Sequence, residues 1–277
     1  NSIIATHTAL GLSDYVVTEA GFGFDLGAEK YLDLVCEYAG FKTSTIVLVA
    51  TARALKHHGG VKVKKVNEPN LEALKEGLEN LGKHLDSIKQ YGVNAVVAVN
   101  EFPTDTQEEL DLIKAYSEEQ GFTAHIVQYW AEGGNGGLDL AKKVVELADA
   151  SDESINRMYD WDEPIEDKIL KVAKGVYGAA KIELTSQAKK DIRKIKKNGY
   201  GKLPICIAKT QKSLSDKPKL KGRPKGFTIT VQEVLIASGA GFVIPITGEI
   251  MRMPGLPKRP SALDIDIEDD GTLLGLF

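Results

Sequence analysis

Three stretches of this sequence set aromatic rings among glycines, carboxylates and amides: TEAGFGFDLGAEK (18–30), NEFPTDT (100–106) and YWAEGGNGG (129–137). Phe22, Phe102 and Trp130 could form flat walls around a planar heterocycle, because π systems favour stacked and edge-to-face contact. Glycine lets a backbone approach a ligand closely, since no side chain intervenes. Glu19 and Asp25 could hold Mg²⁺, a hard cation that takes oxygen ligands, and through it a phosphate. Asn100 offers an amide able to pair bidentately with the edge of a base. Each loop also has a purely structural reading. Gly21 and Gly23 would make turns, the aromatics would cap a sheet, Asp105 would be a helix-start carboxylate, and Thr104 or Thr106 its cap. Other chemistries find no support in the spacing. The five histidines show no HExxH-like pattern, no Ser/His/Asp assembly can be read, and no GxxxxGK[ST] phosphate loop occurs. If ATP is used, its main phosphate cradle lies outside this sequence.

The elements that must position these loops can be read from periodicity. VNAVVAV (93–99) is β-branched and almost uncharged, as expected of a strand buried on both faces. The following TQEELDLIKAYSEEQG places Leu110, Ile113 and Tyr116 on one helical stripe, with acids in the first turn. Strand, short polar loop and helix make a βα unit, and in such sheets ligands bind beyond the carboxyl ends of the strands. The same alternation predicts strands at 15–17, 44–51 and 122–128, and helices at 28–38, 70–91 and 138–150. A short helical stretch ends at Gly59-Gly60. The expected fold is therefore α/β, a doubly wound, mostly parallel sheet. An acidic stretch, SDESINRMYDWDEP (151–164), breaks the pattern. Beyond it a mixed region is expected: a basic helix at 186–198, a strand at LPICIA (203–208), a Lys/Pro/Gly loop to Gly226, β-rich segments at 227–237 and 240–248, and a Pro-rich tail. Divisions at about residues 91 and 175 give three segments, 1–91, 92–175 and 176–277.

Bulk properties narrow the class. At 277 residues, 43% apolar and 27% charged, the chain has the composition of an ordinary globular protein with a substantial core. No apolar run approaches bilayer length and no charged-then-apolar leader opens the sequence. Cys36 and Cys206 lie far apart without CxxC spacing, so buried, inert thiols in a reducing cytoplasm are expected. The net charge of −4 conceals a split: residues 189–225 carry fourteen Lys or Arg against Asp191 and Asp216. Such a block can be a solvated helix face, a sink for a small polyanion or a nucleic-acid patch. Apart from Tyr200 it lacks interleaved aromatics, which argues against nucleic acid.

Taken together, TEAGFGFDLGAEK, ARALKHHGG, AVNEFPTDT, the WAEGGNGG loop, LPICIAKTQKSLSDKP and GFVIPITGEIMRMPGLPKRPSA closely resemble formate–tetrahydrofolate ligase, and the resemblance runs through residues 1–277. It implies a P-loop NTPase-like sheet, with 1–91 the C-terminal remainder of a nucleotide-binding domain, 92–175 a folate-side domain and 176–277 a mixed α/β domain. The phosphate-binding loop would belong to a preceding N-terminal portion, without which this chain would be inactive. The implied reaction is ATP-dependent ligation of formate to tetrahydrofolate through formyl phosphate, with Mg²⁺, a monovalent cation and a cytoplasmic homotetramer. By the same resemblance Phe22, Phe102 and Trp130 hold the pterin, with Phe102 and Trp130 as the sandwich and Asn100 and Asp105 as polar support. Gly133, Gly134 and Gly136 would lie on the nucleotide side, and Glu19 and Asp25 remain the metal candidates. Glu101 departs from the family, which usually carries Lys or Arg there, and puts any anion-binding role at that position in doubt. The alternatives are a folate-binding fragment or subunit without catalysis, or another ATP-dependent ligase on a similar sheet.

Overall fold

A computed structural model describes residues 2–152, 154–248, 258–270 and 273–275. Three strands, β1 (Thr45–Ala50), β2 (Asn94–Asn100) and β3 (Ala124–Val127), form a parallel sheet in the order β1-β2-β3. Strand β2 lies in the centre and alternates strictly. Ala95, Val97 and Val99 enter one apolar cluster, while Val96 and Ala98 enter another. The first cluster is filled by the long helix α4 (Leu71–Tyr91) and by α5 (Gln107–Glu119); the second is closed by Leu140, Val144 and Leu147 of α7 (Leu138–Asp149). Helices thus cover both faces of this parallel sheet, as the βα alternation leads one to expect. Because β1 and β2 are neighbours in register from Thr45↔Asn94 to Ala50↔Val99, the expected division near residue 91 falls inside one sheet.

The helices have local causes. The apolar stripe Leu74, Leu78, Leu81, Leu85 and Ile88 of α4 is buried, and Asn70 caps its start by accepting from the Ala73 amide at 3.0 Å. Helix α3 (Ala52–His58) begins at Thr51, whose hydroxyl accepts from the Ala54 amide at 3.1 Å. It packs on α4 backbone to backbone, since a Cβ at Gly77 would lie 1.9 Å from the Leu55 carbonyl oxygen. That contact fixes where the residues following β1 stand.

A second sheet joins β4 (Lys181–Leu184), β5 (Thr228–Ala237) and β6 (Phe242–Thr247), parallel in the first pair and antiparallel in the second. Helices α8 (Ile165–Val172) and α9 (Ser186–Lys197) pack beside it. Side chains from both sheets belong to one buried cluster.

Three expectations need correction. Residues 15–17 form no strand. They are largely exposed and irregular, tied down where the Tyr15 hydroxyl donates to Asp149 at 2.6 Å, and a helix α1 (Ser2–Leu10) precedes them. LPICIA is not a regular strand. Pro204 and Pro245 remove donors from the facing segments, leaving isolated bridges Ile205↔Val243 and Ala208↔Ile246. The helix expected at 28–38 starts earlier and is wound wide, with π turns at Phe24–Ala28 and Tyr31–Val35 before α2 (Cys36–Ala39). Of the cysteines, Cys36 is buried, as read, but Cys206 is only half-buried. Part of the Pro-rich tail, 249–257, lies outside the described residues. Among the described residues no helix is long and apolar enough to cross a membrane.

Candidate functional site

The carboxyl ends of β2 and β3 hold two of the three candidate loops side by side. Asn100, the last residue of β2, pairs in register with Val127, and the Glu101 amide donates to the Val127 carbonyl at 3.1 Å. Side chains reinforce the link: the Gln128 amide donates to Glu101 Oε2 at 2.8 Å. Glu101 therefore ties the NEFPTDT loop to the start of the YWAEGGNGG loop. A cavity of about 440 Å³ beside the second loop is lined by Glu101, Gln107, Gln128, Glu132, Asn135 and Gly136, among others, but not by Asn100, Phe102, Asp105 or Trp130.

The NEFPTDT loop is shaped by its own polar groups. Asp105 Oδ2 accepts from the Phe102 amide at 3.0 Å, closing a tight turn around Pro103 and Thr104. Asp105 Oδ1 is shut away from solvent with no protein partner. Burial raises the Asp105 pKa, against the opposing pull of the Phe102 amide and the Lys56 and Arg53 charges. Thr106 and Glu109 form a reciprocal capping box at the start of α5, which confirms Thr106 as the cap and leaves Asp105 to shape the loop. Phe102 is half-buried, with the Arg53 guanidinium 4.9 Å from its ring centroid. Asn100 is half-buried at the strand end.

In the neighbouring loop, Trp130 sits on the short helix α6 (Tyr129–Glu132) and is 81% exposed. Gly136 is demanded by packing, because a Cβ there would meet the Gln128 carbonyl oxygen at 2.5 Å. Gly133 and Gly134 face open space, Gly133 with φ of 56°. No ring contact joins Phe22, Phe102 and Trp130 among the described residues.

The third loop is organised differently. Phe22 is 79% exposed and holds φ at 62°, a conformation bulky side chains rarely adopt. Glu19 is exposed, but Asp25 turns inward and pairs with Lys209 at 3.0 Å. The Lys209 ammonium also donates to the Thr210 and Ser213 carbonyls and stands 5.0 Å from the Tyr177 ring centroid. Burial lowers the Lys209 pKa and the Asp25 charge opposes it. In this structure the Asp25 carboxylate is thus engaged by a lysine through Oδ2. Among the described residues there is no group of three or more His, Cys, Asp or Glu side chains able to hold a metal ion.

Part of the charge in 189–225 is taken up in ion pairs, and part is solvent-facing. Helix α9 buries Ala188, Ile192 and Ile195 and leaves its lysines on the outer face. Lys196, Lys202, Lys209 and Arg223 are in ion pairs with Glu166, Asp162, Asp25 and Asp86.

Residues that sequence reasoning passed over support the site from behind. Arg53 and Lys56 lie one helical turn apart on α3, and Lys56 reaches Glu109 at 2.9 Å. The TQEE spacing of a capping box was the available signal for Glu109; nothing local pointed to Lys56 or Arg53.

The architecture defines an α/β protein with a polar cavity at the carboxyl ends of parallel strands. The family model described as formate–tetrahydrofolate ligase matches residues 1–277, and the chain belongs to that family. The family acts on formate, tetrahydrofolate and ATP.

Proposed function

We propose that this chain supplies the folate side of a formate–tetrahydrofolate ligase site, with the pterin held at the Phe102 and Trp130 loops. The observation that carries the reading is the pairing of those two loops, through Gln128 and Glu101, at one end of a parallel sheet in a member of this family. Both rings stand where a flat ligand can reach them, and the unpartnered Asp105 Oδ1 offers an acceptor beside Phe102. Asn100 adds an amide at the same strand end, and Phe22 a strained, exposed ring.

Chemically, formate is a poor electrophile because its oxygen is a poor leaving group. Transfer of the ATP γ-phosphoryl group to a formate oxygen gives formyl phosphate and ADP. The folate amine nitrogen then attacks the formyl carbon, phosphate departs with the C–O bonding pair, and the nitrogen loses its proton, giving 10-formyl-tetrahydrofolate. The charge that develops on the carbonyl oxygen needs fixed donors or cations. In this reading the chain's own residues orient the amine and exclude water from it. Gly133 and Gly134 leave backbone open to the nucleotide. The phosphate cradle of a P-loop NTPase-like domain comes from a segment outside these residues, so the 277-residue chain alone does not turn over. Mg²⁺ and any monovalent cation enter no step assigned to it. A cytoplasmic homotetramer completes the reading by family resemblance.

Titration calorimetry with tetrahydrofolate tests it. Phe102→Ala and Trp130→Ala should each weaken binding by about 1 kcal/mol or more, the value of a lost aromatic contact. Unchanged affinity in both variants overturns the folate assignment. Formation of product by the isolated chain, with no longer species present by mass, overturns the division of labour.

A further inference from the structure

We propose that Arg53 is a positioning residue that makes Phe102 selective for a reduced, electron-rich pterin over an oxidised one; this rests on the folate reading above. The guanidinium lies over one face of the Phe102 ring, 4.9 Å from its centroid. The helix that carries it is fixed at three points. Thr51 caps the helix start two residues before it, Ala52 beside it is fully buried, and α3 is clamped on α4 by the close approach at Gly77. Among the described residues Arg53 makes no ion pair with a carboxylate, and Asp105 is the acid that its charge acts on. The cation is therefore directed at the ring rather than neutralised by a salt bridge.

A cation above an aromatic face draws π density toward itself. The opposite face becomes less negative, and an electron-rich ring stacks there at lower electrostatic cost. Tetrahydropterin is such a ring, because its saturated half carries amine nitrogens that donate into the pyrimidine. Fully oxidised pterin is electron-poor and gains nothing from the same partner. With one face of Phe102 occupied by Arg53, the ligand is also confined to the other face, which sets the order guanidinium, phenyl ring, pterin.

The test measures Kd for tetrahydrofolate and for folic acid on the 277-residue chain by calorimetry under anaerobic conditions. Wild type is compared with Arg53→Met, Arg53→Gln and Arg53→Lys, each checked for its melting temperature. Loss of the charge in Arg53→Met or Arg53→Gln should shrink the preference for the reduced ligand by about two- to five-fold, the scale of an exposed cation–π contact. Arg53→Lys should keep most of that preference. An unchanged preference in a neutral variant that melts like wild type overturns the inference while leaving the folate reading intact. Equal loss for both ligands in the neutral variants also overturns it, showing a purely structural role. Absence of tetrahydrofolate binding by wild type overturns the folate reading itself.

Discussion

The Lys56 ammonium and the Glu109 carboxylate meet at 2.9 Å with neither side chain exposed to solvent. Each also bonds other groups: Lys56 donates to the Glu68 carbonyl at 3.1 Å, and Glu109 accepts from the Asn70 and Thr106 amides at 2.9 and 3.3 Å. Burial alone would raise the Glu109 pKa, yet these donors hold the carboxyl below its ordinary value. The pair joins α3, the start of α4 and the start of α5, and so braces Phe102 and Asp105 from behind.

Removing one partner strands a buried charge. Glu109→Ala or Lys56→Met should therefore destabilise the chain by about 3–5 kcal/mol, whereas replacing both with apolar residues of similar volume should cost much less. Urea melts of the two single variants and the Lys56→Met/Glu109→Leu double variant check this. A double variant as unstable as the sum of the singles would mean that the two charges are not coupled.

His58 gives the fold an acid-sensitive joint. Its Nδ1 accepts from the Gly222 amide at 3.2 Å, holding the Lys/Pro/Gly loop against α3. Burial, with the nearby Lys221, His84 and His57 charges, lowers its pKa to about 4. Between that value and its ordinary 6.5 the unfolded chain binds a proton that the folded chain refuses, so stability rises with pH across this window. The contribution is complete above 6.5 and is lost as pH falls toward 4. Melting temperatures from pH 4.5 to 7.5 should fall more steeply on acidification in wild type than in His58→Gln. Parallel curves would show that His58 does not govern acid stability.

Much of this architecture was legible because it rests on periodicity. The β-branched run at 93–99 and the leucine spacing of α4 each report burial on known faces, and both elements lie within a residue or two of their expected bounds. The failures share a cause. Residues 15–17 and LPICIA have strand-like side chains, but a strand also needs a partner with free donors and acceptors, and that is decided by distant chain. The same holds at the site. Aromatics and glycines in loops announce themselves locally, whereas Arg53 over Phe102 and Lys56 on Glu109 join residues about fifty positions apart in sequence. Asp25 likewise pairs with Lys209, which lies in another segment altogether.

Two glycines of one loop separate packing from ligand binding. Gly136 lies against Gln128, whose backbone N–H donates to the Gly136 carbonyl at 3.0 Å, and an added Cβ would meet the Gln128 carbonyl oxygen at 2.5 Å. The backbone must move to admit a methyl group, so Gly136→Ala should cost about 1–3 kcal/mol of stability, the usual range for overpacking. Gly134 has no atom within 4 Å of the same probe position, and its φ is not left-handed. Gly134→Ala should leave the melting temperature within about a degree of wild type, as expected of a surface change worth under 0.5 kcal/mol. If the open backbone at Gly134 admits a nucleotide, the added methyl group should nonetheless weaken ADP binding, measured by calorimetry on the 277-residue chain. Weaker ADP binding in Gly134→Ala at unchanged stability supports a nucleotide at this loop. Unchanged ADP affinity in that variant removes Gly134 from the nucleotide side, and the loop then serves the pterin alone through Trp130.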